Sequence, residues 1–170
     1  IPRLENDKFD IVESEPSDTV KDFVDSFVQR AEEIRNGSVD PSIDNMLKIC
    51  HDAKLVSTDV RMLDPTAEPD PNGKLYKCTE KVFEIWNATK EARGTQVVFS
   101  DIGVPNGSKN FNVYQFIKEE LVKKGIPENE ICFVHDAKND KERQDMFQDV
   151  CSGVKRIIFG STEKLGTGTN

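Results

Sequence analysis

The residues best suited to chemistry lie between Arg156 and Asn170. There the apolar run Arg156-Ile-Ile-Phe-Gly160 opens directly into Ser161, Thr162, Gly166, Thr167, Gly168, Thr169 and Asn170. At the carboxyl ends of strands in α/β proteins, hydroxyls and unpaired backbone N–H groups are free to hold phosphate. The spacing is not that of a Walker A loop: five residues separate Gly160 from Gly166, and Thr167 stands where that loop carries lysine. Gly166-Thr-Gly168 also lacks the third glycine and the following helix of a dinucleotide fingerprint. By itself the segment reads equally as a phosphate-holding loop or as a frayed loop.

Two further segments repeat the pattern more faintly. Thr95 to Asp101 (TQVVFSD) is another apolar strand with polar residues, Ser100 and Asp101, at its end, where a turn or a helix cap explains them as well as a site does. His135-Asp136 suggests a general-base pair, but no nucleophile accompanies it, and the charged run that follows reads as the solvated start of a helix capped near Asp140. Cys50, Cys78, Cys132 and Cys151 are scattered, and His51 and His135 are the only histidines, so neither a zinc site nor a disulfide framework is expected. The acids Asp22, Asp25, Glu32 and Glu33 fall outside an apolar helical stripe and read as a solvated face.

The elements that must position these residues follow from periodicity. Val20, Phe23, Val24, Phe27, Val28, Ala31 and Ile34 recur at intervals of three and four, predicting a helix stopped by Gly37. A second helix is predicted over 43–55, with Ile43, Met46, Leu47 and Cys50 on its packing face, and a short strand over 8–13. Residues 64–73 contain three prolines and a glycine, a loop and the best internal boundary. A third helix is predicted over 74–92, with Leu75, Cys78, Val82, Ile85, Trp86 and Thr89 on one face. Beyond it strands near 95–100, 131–134 and 156–159 alternate with helices at 113–124 and 140–150. This βαβ rhythm, with strands apolar on both faces, predicts a mainly parallel sheet covered by helices.

The chain has 170 residues and a formal net charge of −8, which argues against a broadly basic, polyanion-binding surface. The deficit is local. Residues 1–73 carry 8 basic and 17 acidic side chains, and the remainder is close to neutral, with 15 basic and 14 acidic. No apolar run approaches the ~20 residues of a membrane span, and no charged-then-apolar leader opens the chain, so a soluble cytoplasmic protein without a membrane partner is expected.

In order along the chain, these segments resemble the second RecA-like lobe of a superfamily 2 helicase, most closely the Swi/Snf-type DNA translocases. A looser likeness is to large phage and mobile-element helicase–methyltransferases. Asn72-Gly-Lys-Leu75 is similar to the family's entry into a long helix, and Thr95 to Asp101 to the strand called motif IV. Arg143-Gln with Val150 and Ser152-Gly153 tracks its "E-R-x(6)-F-x-x-G" helix. Thr162, Gly166, Gly168 and Asn170 match motif V, T-x-x-x-G-x-G-[IL]-[ND]. Leu47 to Cys50 is similar to an upstream "I-C-N-H-P" helix.

The resemblance implies a RecA-like, P-loop-NTPase-like sheet in residues 74–170, preceded by a strand and acidic helical part in 1–73. It implies that Ser100, Asp101 and Thr162 meet the sugar-phosphate backbone of DNA, that Gly166, Gly168 and Asn170 approach ATP, and that Arg143 is structural. ATP and Mg2+ would belong to the complete two-lobe protein, held mainly by an N-terminal RecA-like lobe, the expected partner together with DNA. No Walker A loop, D-E-x-[HD] or arginine finger is present, Leu165 replaces a motif V glycine, and the chain stops inside motif V. The expectation is therefore a fragment that hydrolyses no ATP alone. From a different class, a stand-alone α/β module for protein interaction or small-ligand binding also fits these residues.

Overall fold

The computed structural model describes residues 9–105 and 111–165. Helix α1 (Asp18–Arg35) begins where the Ser17 side chain accepts the Val20 N–H. Its stripe of Val20, Phe23, Phe27, Ala31 and Ile34 packs on Ile49, Val56 and Val60. Val24 and Val28 drop to the edge of that stripe and stay half-exposed.

Helix α2 (Met46–Thr58) starts later than its periodicity predicts, because Asn45 supplies the cap by accepting the Lys48 N–H. It also buries a different face. Ile49, Asp52 and Val56 point inward, whereas Ile43 and Leu47 are largely exposed. Arg30 on α1 accounts for the difference. Its guanidinium holds Asp44 at 2.6 and 2.8 Å and Asp52 at 2.9 Å, drawing that side of α2 toward α1. The Arg30 hydrogen bonds hold the Asp44 carboxyl below its ordinary value. The strand expected over 8–13 is not formed by residues 9–13, which run without regular structure, Phe9 and Ile11 mostly in solvent. An alternating run finds a strand's conformation only where a neighbour pairs with it.

Residues 64–73 form turns in which Asp64 and Asp70 accept the N–H groups of Thr66 and Asn72. Helix α3 (Lys74–Ala88) buries Leu75, Thr79, Val82 and Trp86, and ends before the predicted residue 92. The rest of the described chain is β1 (Gln96–Phe99), α4 (Val113–Lys123), β2 (Ile131–Phe133), α5 (Asp140–Cys151), β3 (Ile157–Gly160) and a short α6 (Thr162–Leu165).

The three strands form a parallel sheet in the order β1-β3-β2, with Val98 opposite Phe159 and Phe133 opposite Phe159 on the other side. Helices α3 and α4 cover one face, where Leu75, Val82, Trp86, Ile117 and Leu121 meet Ile131, Phe133, Ile157 and Phe159. On the other face Met146, Phe147 and Val150 of α5, with Leu165, cover Cys132, Val134 and Ile158. The chain is thus mixed α/β, a small parallel sheet flanked by helices.

Arg156 locks the amino end of the sheet. Its backbone N–H donates to Glu130 and its carbonyl accepts from Gln96, joining the three strands. Its side chain is 1% exposed and donates to the carbonyls of Trp86 and Gly94 and to the Thr89 hydroxyl. It also lies over the Trp86 ring at 4.9 Å.

Candidate nucleic-acid interface

Because all three strands are parallel, their carboxyl ends open on one edge, and the segments that follow them must meet there. Ser100 and Asp101 follow β1, Val134 and His135 follow β2, and Ser161 and Thr162 follow β3. Tyr114 is fully buried beneath this edge, its ring against Phe133, Phe159 and His135 at centroid distances of 5.4–5.6 Å for the group. Its hydroxyl donates to the Ser100 carbonyl at 2.6 Å. Burial, with the Asp101 charge nearby, pushes the Tyr114 phenol up to about 12, so it stays a donor at neutral pH.

Two of the three residues expected at the DNA backbone are in direct contact. The Thr162 N–H donates to Asp101 Oδ1 at 2.7 Å, and its hydroxyl donates to Oδ2 at 2.8 Å. The N–H bond, then the hydroxyl bond, hold the Asp101 carboxyl below its ordinary value, so it is ionised at neutral pH. An ionised carboxylate accepts hydrogen bonds and has no proton to give a phosphate. Its task in this arrangement is to orient Thr162. Ser100 is close by but turned inward: its hydroxyl donates to the Ile102 carbonyl at 2.8 Å and closes the turn after β1.

That turn depends on Gly103, whose φ of +65° places it in the left-handed region. A Cβ there would lie 2.4 Å from Val113 Cγ2, at the start of α4. Next to the turn a cleft of about 440 Å³ separates Asp101, Gly103 and Asn112 from His51 and Lys54 on α2.

Beyond β3 the Gly/Ser/Thr-rich segment opens as α6 rather than as a loop. Leu165 returns over Gly160, where an added Cβ would lie 2.2 Å from Leu165 Cδ1. The residue that departs from the motif V glycine therefore closes the strand end with an apolar contact. Gly166, Gly168 and Asn170, expected beside ATP, lie outside the described residues.

His135 ends β2 in a single 3-10 turn, Val134–Asp136. Burial, then Lys164, keep its imidazole below its ordinary value and hence neutral at pH 7, and its Nδ1 is buried without a hydrogen-bond partner. Arg143 on α5 has its Nε buried and unpaired and its Nη1 3.7 Å from Asp140, one turn earlier on the same helix.

Sequence reading did not single out Tyr114, and it used Arg156 only as the start of a strand, with no role for its side chain. The available signals were a hydroxyl-bearing ring inside the apolar stripe of α4 and a lone cation opening an otherwise apolar strand. The donor set at this edge does not fit a nucleotide triphosphate by itself. Thr162 and Asp101 are bound to each other, and no lysine or arginine among the described residues joins them, whereas Mg-triphosphate sites combine a lysine, a hydroxyl and a free carboxylate. Among the described residues no helix is long and apolar enough to cross a membrane. No family model, curated protein or solved structure matches this chain.

Proposed function

We propose that this chain is the second RecA-like lobe of an ATP-dependent DNA translocase, supplying contacts to the sugar-phosphate backbone and one side of an ATP cleft completed by another lobe. The observation that carries this reading is the meeting of Thr162 with the Ser100–Asp101 strand end, 61 positions away in sequence, on the carboxyl edge of a parallel sheet. Backbone contacts of this kind hold register along DNA without reading bases. The near-neutral charge of residues 74–170 suits a short track of hydroxyl and N–H donors better than a broad basic face.

Thr162 has one hydroxyl proton, and it is committed to Asp101. A phosphate oxygen that accepts this hydroxyl hydrogen bond replaces Asp101 Oδ2 as its partner, while the Thr162 N–H bond to Asp101 Oδ1 keeps the residue in place. Ser100 contributes by fixing the turn and by presenting its carbonyl to Tyr114. ATP and Mg2+ would be held mainly by the other lobe, and hydrolysis of that ATP to ADP and phosphate would supply the free energy for opening and closing the two lobes. The resemblance assigns Gly166, Gly168 and Asn170, which lie outside the described residues, to the ATP cleft.

The test joins this lobe to a Walker-A-bearing lobe in the full polypeptide and measures DNA-stimulated ATP hydrolysis. Thr162→Ala should raise the DNA concentration for half-stimulation about tenfold, the effect of one hydrogen bond to a charged group worth ~1.5 kcal/mol. Unchanged stimulation refutes the role of Thr162. This chain alone should show no turnover, and robust hydrolysis by pure chain would overturn the two-lobe reading.

A further inference from the structure

The cleft between α2 and the turn after β1 combines an apolar floor with polar walls. His51 and Lys54 stand three positions apart on α2, so their side chains leave the same face of the helix. Both are exposed, and among the described residues neither side chain has a hydrogen-bond or ion-pair partner. Asp52, between them in sequence, turns the other way to Arg30. Across the cleft the Asn112 side-chain oxygen accepts the Gln115 N–H, which leaves its NH2 group as a donor. Asp101 is the one carboxylate among the described lining residues, and its two oxygens are each held by a Thr162 donor. Arg61 lies 4.4 Å from the Phe111 ring and is paired with Asp59. The uncommitted groups are therefore an ammonium, an imidazole and an amide NH2, a set in which donors prevail. Leu55, Met62 and Phe111, all half-buried, form the floor.

We propose that this cleft takes one sugar-phosphate unit of a DNA strand, with Lys54, His51 and Asn112 on the phosphate and the apolar floor beneath the sugar. The assignment rests on the reading of Thr162 as a backbone contact and extends it to α2, which that reading leaves without a role. A phosphate oxygen only accepts hydrogen bonds, so it complements walls whose free groups donate. The Asp101 charge opposes an anion, but both its oxygens are turned to Thr162, and Lys54 supplies the compensating charge. A sugar ring presents carbon to the floor, whereas inorganic phosphate would leave that floor in water. At about 440 Å³ the cleft falls within the size range of small-ligand sites. Asp101 lines the cleft and also holds Thr162, so neighbouring units of one strand reach both places.

The test is an NMR titration of this chain with a short oligothymidylate, with thymidine monophosphate and with inorganic phosphate, followed by affinity measured across a range of salt. The oligonucleotide should shift the amides of His51, Gly103 and Asn112 together with that of Thr162, at concentrations where the two small anions do not. Lys54→Ala, an exposed position whose change leaves the circular dichroism unaltered, should weaken oligonucleotide binding about tenfold. It should also lower the slope of log affinity against log salt by about 0.7, the loss of one phosphate contact on a single strand. Lys54→Arg should keep the slope, and Lys90→Ala, at the amino end of β1, should change neither quantity. An unchanged slope in Lys54→Ala with Thr162 still shifted overturns this proposal and leaves the Thr162 contact standing. Cleft shifts and a Lys54 effect that persist while Thr162→Ala binds like the parent support the cleft and refute the Thr162 contact. Small anions that shift the cleft as strongly as the oligonucleotide overturn the proposal, making the occupant a free nucleotide or phosphate. So does an oligonucleotide that shifts none of these amides.

Discussion

Replacing Arg156 tests how the sheet is held in place beneath the candidate site. The guanidinium donates to the Trp86 carbonyl at 2.7 Å, the Thr89 hydroxyl at 3.0 Å and the Gly94 carbonyl at 3.1 Å. The Trp86 carbonyl belongs to the last turn of α3, which has no following turn to bond it, so Arg156 satisfies a helix-end acceptor from another element. Methionine keeps most of the stem but removes every donor. Two carbonyls then lose their partner, at about 1–3 kcal/mol each. Against that, the variant no longer buries a guanidinium, and apolar replacements of buried charges are sometimes neutral or stabilising. The balance favours the arginine here because its hydrogen bonds reach neutral groups with no alternative donor. Glu130, by contrast, keeps Trp86 Nε1 at 2.8 Å and Arg93 at 3.1 Å and is not orphaned. The expected loss for Arg156→Met is about 3 kcal/mol, a fall of about 1–3 M in the urea midpoint for a slope of 1–3 kcal/mol/M. Trp86 is the single tryptophan and sits against Arg156, so its fluorescence reports the transition directly. Arg156→Lys should recover less than half of the loss, because an ammonium cannot span three acceptors. A methionine variant within about 0.5 kcal/mol of the parent would refute the reasoning. It would mean that relief of the buried charge offsets the lost hydrogen bonds.

The Asp101–Thr162 contact should be visible by NMR as a Thr162 amide resonance that titrates with Asp101. Its midpoint should lie below the ordinary aspartate value. Because the folded-state value is depressed, the contact's stabilisation is complete above the unfolded-state value and is lost as pH falls through the folded one, and a midpoint at or above the ordinary value would contradict the geometry. Iodoacetamide mapped by mass spectrometry should label exposed Cys50 and Cys151 first and Cys132 last, since Cys132 is buried and its thiol is pushed up to about 11. Early labelling of Cys132 would show that β2 is open. Gly160→Ala should displace Leu165 from the end of β3 and lower stability by about 1–3 kcal/mol in urea denaturation, and an unaffected midpoint would argue against that contact.

The fold was legible in part because burial imposes periodicity. The stripe from Val20 to Ile34 marked α1, and the apolar runs near 95–100, 131–134 and 156–159 marked the three strands. Periodicity failed at α2, where Ile43, Met46, Leu47 and Cys50 were as regular as the residues actually buried. Arg30, 22 positions before Asp52, selected the other face by pairing with it. Such a choice rests on a contact between elements, and a single helix carries no record of it. The run at residues 9–13 failed for the related reason that alternation names a potential strand but not its partner.

For the candidate site the sequence determined the cast: hydroxyl, glycine and carboxylate residues placed just after apolar strands, and a βα rhythm that requires those strand ends to share an edge. Tertiary structure alone decided how they are used. It turned Ser100 inward, gave both Thr162 donors to Asp101, and seated Tyr114 beneath them. The physical reason is that a hydrogen bond is decided by a partner's position to within a few tenths of an ångström, and only packing between distant segments fixes position that finely.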